Sequence, residues 1–355
     1  MKRVSRKNQN VDFNGADCYV GVDVHKATYY VAILATDGRR IEFSTPSDPD
    51  ALLYKLLSTG MNLLALAHET GPTGYGLAWA CQEAGIPVVV AASSRIPRPV
   101  AASGKTDRLD CIKLATLLAK GTLTSITIPT QEEHSLREIE RRRQQMARAR
   151  AKLRQRIKGF LLKNAIPEPA GLTTWNKSAV NALRELPLSP FLRIALNSYL
   201  REHDAVVEHL AYLKRALSEA LASQNKQALI GNLRTVPGIG ETVANSFVAE
   251  IFRPERFTRP EEIAAYVGLA PIVSHSGAGK VKSQLRNTGQ GYLRSLLVEA
   301  AWVLIAKEPH YRALYNKLRN RTDLPQKAIV AVARKLLIVL WRIAVEGRPY
   351  RPATA

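Results

Sequence analysis

Four acids and one serine, far apart in the chain, are residue types that phosphodiester chemistry uses. The acids are Asp23, Glu69, Asp107 and Asp110, and the serine is Ser276. Magnesium prefers oxygen ligands, and a pair of ions serving a phosphodiester is usually held by three or four carboxylates. A serine hydroxyl is a poor nucleophile at neutral pH, so it needs a strongly polarised phosphodiester. Together the five side chains indicate one metal-assisted catalytic site.

The acids stand where predicted elements would present them. Asp23 and Glu69 each end an apolar run that reads as a buried strand, and a turn motif follows Glu69. Asp107 and Asp110 lie three residues apart at the start of a helical pattern, so both would share one helix face. This order of elements matches ribonuclease-H-like nucleases. The alternative is that the four are unrelated surface acids.

Ser276 lies in a predicted small-residue loop, residues 268–280, that ends in a cation. Glycines beside it would let a phosphate reach the hydroxyl, and Lys280 or Lys282 would offset developing charge. Ser274 competes for the same role. A Ser- and Gly-rich segment is in most proteins a flexible connector, so the residues alone leave the serine's role open.

Composition indicates a globular protein that binds a polyanion. The 355 residues are 46% hydrophobic, and 51 Lys and Arg against 30 Asp and Glu give a net charge of +21. Nucleic acid is the expected partner and a membrane is not, because no segment approaches the ~20 apolar residues of a spanning helix. The polar stretch after Met1 does not resemble a signal peptide, so a cytoplasmic location is expected. Cys18, Cys81 and Cys111 have no paired spacing and are expected to be buried free thiols.

Three folded regions and a short extension are predicted. After a basic, polar extension over residues 1–17, residues 18–130 give strands first and then alternating helices and strands, with a hairpin motif at Asp37-Gly38. This order predicts an α/β domain with a mixed sheet covered by helices. Residues 131–225 are predicted as a basic helix and a coiled-coil linker. Residues 226–355 are predicted as a mainly helical domain.

The linker carries a heptad seam. One long helix is predicted over residues 132–163, then a break with Pro and Gly over 166–190, then apolar residues alternating four and three apart over 192–220. Such spacing predicts a coiled coil, either with a neighbouring helix or with a second protomer. The second alternative, giving a homodimer or tetramer, is favoured. His203 in the seam is expected to pack rather than to bind a metal.

The C-terminal region shows two features that suit phosphate. Val236-Pro237-Gly238-Ile239-Gly240 looks like a helix-hairpin-helix turn, whose glycines let backbone amides approach a phosphate; the alternative is a tight connection without a ligand. Residues 280–351 hold fifteen Lys and Arg against four acids, which favours phosphate contact. The candidate nucleic-acid contacts are Lys105, Gly238, Gly240, Lys280, Lys282, Arg286 and Arg294.

Short motifs along nearly the whole chain carry a family resemblance. They are Val20-Gly21-Val22-Asp23, Glu69-Thr70-Gly71, Lys105-Thr106-Asp107-Arg108-Leu109-Asp110, Val236-Pro237-Gly238-Ile239-Gly240, Gly268-Leu269-Ala270-Pro271 with the following Ser276-Gly277, and Gly289-Gln290-Gly291-Tyr292-Leu293-Arg294. On these motifs the chain resembles the DEDD transposases of bacterial insertion sequences. That family includes bridge-RNA-guided recombinases and relatives of the pilin-gene invertase.

The resemblance implies a RuvC-like domain, a coiled-coil linker and a C-terminal transposase domain. It implies that the four acids bind Mg²⁺, as two ions, and that the serine attacks DNA to form a covalent intermediate. The serine maps onto Ser276 rather than Ser274. Donor and target DNA and a noncoding guide RNA are the implied partners. Cys111 stands where the family commonly has alanine, a change that leaves the metal ligands intact.

Three other functions fit parts of the sequence. A RuvC-like nuclease or junction resolvase would use the carboxylates alone and hydrolyse the phosphodiester. An actin-like sugar kinase or ATPase also opens with a strand ending in aspartate, but residues 24–28 make a poor phosphate turn. A basic architectural protein would only grip the backbone, and Asp23→Ala would leave it unchanged.

Overall fold

The computed structural model describes residues 11–96, 107–274, 282–285 and 288–352. By its internal contacts the chain divides into two units, residues 1–130 and 131–355. A further boundary near residue 225 stays a prediction. Within the described ranges, no helix is both long and apolar enough to cross a membrane.

A five-stranded mixed sheet forms the centre of the first unit. Its strands are β1 (Asp17–Val24), β2 (Thr28–Ala35), β3 (Arg40–Pro46), β4 (Asn62–Glu69) and β5 (Val88–Ala91). They lie in the order β3-β2-β1-β4-β5, with the first three antiparallel and with β4 parallel to both β1 and β5. The predicted mixed sheet is confirmed, and it is consistent with a RuvC-like domain. The predicted hairpin is also present, since β2 and β3 pair around Gly38, whose φ is +93°.

Helices cover both faces of this sheet. They are α1 (Pro49–Leu57), α2 (Gly76–Glu83) and α3 (Asp107–Ala119). Side chains alternate along a strand, and Val22 of β1 points into the core that contains Leu52 of α1 and Leu77 of α2. On the opposite face Ala32 of β2 packs against Cys111 of α3. The sheet is therefore the middle of three layers, with α3 alone on one side among the described helices.

Two long helices, α4 (Gln131–Lys163) and α6 (Pro190–Ser223), pack along each other in the second unit. The seam of α6 is buried as predicted: Leu196 shares a cluster with Leu161 of α4, and Leu217 shares another with Leu136. The pair is therefore antiparallel and lies within one chain. The seam of α6 therefore meets a neighbouring helix of the same chain, and pairing with a second protomer stays a prediction. The oligomeric state stays a prediction.

His203 packs in this seam, in agreement with its predicted role. It is 4% exposed and stacks on Trp175 with the ring centroids 5.2 Å apart. Arg154 Nε donates to its Nε2 at 3.4 Å. Burial, followed by the charge of Arg154, holds the pKa of His203 below its usual value. The ring is therefore neutral inside the helix pair at neutral pH.

A short helix, α5 (Lys177–Glu185), occupies part of the segment predicted as a break. Its N-cap is Asn176, whose side chain accepts a hydrogen bond from the amide of Ala179 at 2.8 Å. Leu183 is fully buried in the cluster that α4 and α6 form. The prediction was wrong over these nine residues, because the surrounding Pro and Gly obscured a helix of fewer than three turns.

Helices dominate the rest of the second unit. They are α7 (Gln227–Arg234), α8 (Glu241–Ile251), α9 (Pro260–Val267), α10 (Gly291–Lys307), α11 (Pro309–Thr322) and α12 (Pro325–Glu346). Phe247, Leu297 and Leu336 lie in their common core. Between α9 and α10, β6 (Pro271–Ser274) pairs antiparallel with β7 (Lys282–Leu285). The segment from residue 268 was predicted as a loop, and the structure corrects this for the residues of β6.

Candidate catalytic face and nucleic-acid contacts

Asp23 and Glu69 lie side by side at the ends of two neighbouring strands. β1 and β4 are parallel, and the last pair in their register is Val22 with His68. Asp23 and Glu69 are the next residues, so about one interstrand spacing, ~4.8 Å, separates their backbones. The side chain of Asp23 is 21% exposed, and Glu69 is half-buried. The sheet thus brings two of the predicted acids together at a position that solvent reaches.

Both carboxylates belong to the sheet face that α3 covers. Gly21 stands two residues before Asp23, and residues two apart on a strand share a face. A Cβ at Gly21 would overlap the backbone atoms of Cys111 and Ala115 in α3. Gly21 therefore faces α3 at the closest possible approach, and Asp23 and its neighbour Glu69 face the same way.

The other two predicted acids lie in the first turns of α3. The helix begins at Asp107, and Asp110 is half-buried one turn later. Burial raises the pKa of the Cys111 thiol to about 11, and the charge of Asp23 adds to the effect. Gly21, two residues before Asp23, meets Cys111 and Ala115, so the first turns of α3 lie near the Asp23 end of β1. For Asp107 the structure describes the backbone and not the side chain.

His25 contacts Asp23 and was missing from the predicted site. Its Nε2 lies 3.1 Å from Asp23 Oδ2, in the turn between β1 and β2. Its ring meets the ring of Tyr30 edge-on, with centroids 5.6 Å apart. A protonated His25 would hold the Asp23 carboxylate in an ion pair and compete with a cation for it. The sequence offers only Asp-x-His after a strand, which is equally typical of an ordinary turn.

A further acid, Glu42, faces the same side of the sheet. It is the register partner of Ala32, whose side chain packs against α3. Its carboxylate forms an ion pair with Arg40 at 2.7 Å. Two interstrand spacings, about 10 Å, separate β3 from β1. Glu42 therefore lies at the edge of the acidic face, with a cation of its own.

The donor set suits a hard divalent cation. Carboxylate oxygens from strand ends and from a nearby helix are the ligands that Mg²⁺ takes, and partly exposed positions leave room for the waters that it keeps. Among the side chains that the structure describes, no three His, Cys, Asp or Glu residues form a metal-binding group. Asp23, Glu69 and Asp110 are among these side chains and do not form such a group with one another, and the side chain of Asp107 is not described.

The predicted serine and most of the predicted cations fall where side chains are not described. Ser276, Lys105, Lys280 and Arg286 lie outside the described residues. Ser274 ends β6 and Lys282 begins β7, and for both the structure describes the backbone alone. The structure does describe the residues that precede β6 and those that follow β7.

Arg294 connects these two groups of residues. Its Nη1 donates to the carbonyl oxygens of Gly268, at 3.2 Å, and Thr288, at 3.4 Å. Gly268 and Gly289 both have left-handed backbones, with φ of +84° and +93°. A Cβ on Gly289 would lie 2.7 Å from the backbone nitrogen of Gly268. Arg294, predicted as a nucleic-acid contact, therefore joins the residues before β6 to those after β7.

The turn between α7 and α8 contains two glycines, and each has a different structural reason. Gly238 has φ of +91°, and a Cβ there would lie 2.5 Å from the carbonyl oxygen of Ala300 in α10. Gly240 is the N-cap of α8, with open space where a side chain would stand. Glu241 follows in the first turn, where its charge suits the helix dipole and opposes a phosphate. Packing against α10 explains Gly238, and Gly240 is an exposed residue at the start of α8.

A buried ion pair links α4 to α8 and α10. Arg143 donates to both carboxylate oxygens of Glu140, each at 2.7 Å. The same guanidinium donates to Ser246 Oγ at 3.0 Å and to the Tyr292 hydroxyl at 3.3 Å. Tyr292 belongs to the motif that includes Arg294. The network therefore fixes this motif against the long basic helix.

A RuvC-like sheet with acids at its strand ends, in one chain with a basic helical unit, defines a nucleic-acid-processing protein. Comparison with known families agrees. A family model for the DEDD transposases of IS110 matches residues 20–166, and the model described as "Transposase IS116/IS110/IS902 family" matches residues 231–316. Together the two models match more than half of the chain.

Several curated proteins are similar to the chain, two of them transposases that match about two thirds of it or more. The putative transposase y4qE of Sinorhizobium fredii is 27% identical over 94% of this chain and 90% of its own length. The transposase for insertion sequence element IS1533 of Leptospira borgpetersenii is 27% identical, over 66% of this chain and 70% of its own. The pilin gene-inverting protein of Moraxella bovis is 25% identical over 47% of this chain and 52% of its own.

The chain belongs to the DEDD transposases of the IS110 family of insertion sequences. It is an enzyme of the DNA transposase class, with DNA as its partner.

Proposed function

We propose that this transposase cuts and rejoins donor and target DNA through attack by Ser276 on a phosphodiester, with Mg²⁺ held by Asp23, Glu69, Asp107 and Asp110. The observation that supports the metal site most directly is the position of Asp23 beside Glu69 on the face covered by α3, the helix that begins at Asp107. Asp23 and Glu69 would supply oxygen ligands from two strand ends, and carboxylates of this kind are the ligands that phosphodiester chemistry with two magnesium ions uses.

The proposed step balances without a further reactant. Ser276 Oγ forms an ester bond to phosphorus, the bond from phosphorus to a deoxyribose oxygen breaks, the serine proton is released, and the leaving oxygen takes up a proton. Attack on the phosphoserine ester by a deoxyribose hydroxyl reverses the step and rejoins DNA. Mg²⁺ would neutralise the nonbridging and leaving oxygens. The carboxylates belong to one unit of the chain and Ser276 to the other, so the reaction requires both.

We further propose that the enzyme acts with a noncoding guide RNA. It would do so as a homodimer or tetramer, in the bacterial nucleoid. Support for a second nucleic acid comes from charge: the net charge is +21, and the 33 residues of α4 are rich in arginine. In guided systems base pairing selects the target and the protein binds the backbone. Omission of RNA from the reaction tests this part separately.

The test is a search for a covalent protein–DNA adduct on a denaturing gel. Labelled donor and target DNA, the flanking noncoding RNA and Mg²⁺ are incubated with the wild type, Ser276→Ala, Ser274→Ala and Asp23→Asn. The adduct is expected with the wild type and Ser274→Ala, and is expected to vanish with Ser276→Ala and Asp23→Asn. Asp37→Asn is the matched acid control, because Asp37 is an exposed residue of the β2–β3 turn, and it should keep the adduct.

Two further outcomes separate the alternatives. Cleaved DNA without any adduct, unaffected by Ser276→Ala, would instead identify a RuvC-like nuclease that works by hydrolysis. Mixing Ser276→Ala with Asp23→Asn tests whether two protomers share a site. Recovery of the adduct in the mixture supports sharing, and no recovery removes the support for it.

A further inference from the structure

A cavity of about 350 Å³ lies where the segment after α12 folds back against α11 and α12. Two hydrogen bonds fix that segment. Asn232 Nδ2 donates to the carbonyl oxygen of Gly347 at 2.9 Å, and the amide of Tyr350 donates to Thr235 Oγ1 at 2.9 Å. Asn232 is in α7 and Thr235 is its C-cap. The segment that forms this wall of the cavity is therefore hydrogen-bonded to the helical core, in addition to its covalent connection to α12.

The cavity is lined with guanidinium groups. Arg342 comes from α12, and Arg348 and Arg351 come from the segment after it. All three are exposed residues. The lining contains one carboxylate, that of Glu346, so positive charge exceeds negative charge around the opening. A guanidinium offers a planar fork of donors that fits phosphate oxygens, and several around one concavity favour a phosphate over a neutral ligand.

The interior offers phenol groups and apolar surface. Tyr311 is 8% exposed, and its hydroxyl is hydrogen-bonded with that of Tyr350. Burial, with the neighbouring Tyr311 adding to the effect, raises the pKa of Tyr350 to about 12. The phenols therefore keep their protons at neutral pH and add no negative charge that would oppose an anion. Val339 and Ile343 supply aliphatic lining beside them, so a ring or a sugar would find apolar contact next to the cations.

We propose that this cavity binds one unpaired nucleotide of a nucleic-acid strand, with its phosphate held by Arg342, Arg348 and Arg351 and its sugar or base against Tyr350 and Ile343. The size supports one nucleotide, because a base pair in a duplex is too large for a pocket of this volume. Stacking on an aromatic side chain beside cations is the usual way in which proteins bind single strands without reading their sequence. None of the residues that would carry transposition chemistry lines the cavity.

A free nucleotide also has a phosphate next to a ring and would fit the same cavity. The experiment separates a free nucleotide from a nucleotide within a strand. The full-length wild type is titrated into fluorescent oligothymidylate and oligouridylate of about 12 nucleotides, a length within the usual range for single-strand sites. Anisotropy is measured at several salt concentrations. Thymidine monophosphate and inorganic phosphate are added as competitors. We expect the oligonucleotides to bind and the two small competitors to displace them only weakly.

The variant Arg342→Gln/Arg348→Gln/Arg351→Gln removes the proposed phosphate contacts. Each contact with a single strand contributes about 0.7 to the slope of log affinity against log salt, so three lost contacts lower the slope by about 2 and the affinity by about tenfold or more. The matched control is Lys317→Gln/Arg319→Gln/Arg321→Gln, which removes equal charge from exposed positions of α11 that do not line the cavity. It should bind within about twofold of the wild type, as expected for distant, screened charges.

Cross-linking provides a measurement that needs no variant. An oligonucleotide containing 4-thiothymine is irradiated with the wild type, and cross-linked peptides are mapped. Peptides with Tyr311 or Tyr350 are expected. Equal losses of affinity in both triple variants, cross-links confined to other peptides, or displacement by thymidine monophosphate as efficient as by the oligonucleotide would each overturn the proposal. Ser276→Ala should bind the oligonucleotides as the wild type does, so a failure of the serine chemistry would be seen separately.

Discussion

Replacing Gly21 by alanine tests how the acidic face is assembled. The change adds one methyl group to β1 on the side where α3 lies. That methyl group would overlap the carbonyl oxygen of Cys111 and the amide nitrogen of Ala115, and would lie 3.0 Å from Leu114 Cβ. Two of these atoms are backbone and the third is a Cβ, so no rotamer change removes the overlap. α3 must move away from the sheet.

The size of the effect follows from that movement. Restoring an ordinary contact of about 3.5 Å requires α3 to shift by about 1 Å. Overpacking of a well-packed interior costs about 1–3 kcal/mol, which in a unit of this size lowers the melting temperature by about 5–10 °C. The shift also carries Asp107 and Asp110 away from Asp23. Misplacement of catalytic groups by 1 Å costs about 10²-fold in rate, so cleavage should fall far more than the folded fraction does.

The assay is urea unfolding of purified protein together with Mg²⁺-dependent cleavage under folding conditions. Gly76→Ala is the matched control, because Gly76 lies in α2 and a Cβ there meets nothing within 4 Å. It should leave activity unchanged and leave the free energy of unfolding equal or up to about 1 kcal/mol higher, as alanine favours a helix over glycine. Leu114→Ala should not rescue Gly21→Ala, since the overlapping atoms remain.

Two outcomes for Gly21→Ala would contradict this arrangement of α3 and its acids. If Gly21→Ala unfolds at the same urea concentration as the wild type and cleaves DNA at the same rate, α3 does not lie against β1 as closely as the structure has it. If stability falls and cleavage per folded molecule does not, α3 packs as described but its acids are not part of the catalytic site.

Three more predictions concern buried polar groups. Arg143→Met should lower the free energy of unfolding by about 3–5 kcal/mol, because it leaves the fully buried Glu140 carboxylate without its cation. Adding Glu140→Gln to this variant should recover about 1 kcal/mol or more. Strictly additive costs of the two substitutions would contradict the coupling. Burial lowers the pKa of His68, so the unfolded state binds its proton first and stability should fall as pH drops below about 6.5. In His68→Leu the midpoint of urea unfolding should depend less on pH between about pH 5 and 7. An unchanged pH dependence would refute this. Burial raises the thiol pKa to about 12 for Cys81 and about 11 for Cys111, so both should react with a thiol reagent only as fast as the protein unfolds, and rapid labelling of folded protein would contradict that.

Local patterns were sufficient for most of the first unit. The apolar runs before Asp23 and Glu69 became β1 and β4, because a run of apolar residues that ends in a polar one and a turn has few other solutions. The Asp37-Gly38 hairpin formed as predicted, because its glycine adopts a backbone that the turn demands. The spacing of Asp107 and Asp110 placed them on one helix, which begins at Asp107.

Other features depended on neighbours distant in sequence. α5 is stabilised by the burial of Leu183 against two other helices, which its own residues do not reveal. The contact of His25 with Asp23 depends on the turn that joins β1 to β2. For Arg294, charge and family motif suggested nucleic acid, yet its guanidinium bonds to the carbonyl oxygens of Gly268 and Thr288.

The sequence by itself determined which residues could do chemistry, the order of strands and helices around them, and the family. Motif residues and short periodicities are local, and each can be read without knowing the rest of the chain. The tertiary structure decided what each face meets. The seam of α6 packs on α4 of the same chain, and the absence of a side chain at Gly21 and Gly238 leaves room for α3 and α10, respectively. A periodic pattern specifies that a face is buried, but its partner is set by the competition among all apolar surfaces of the folded chain.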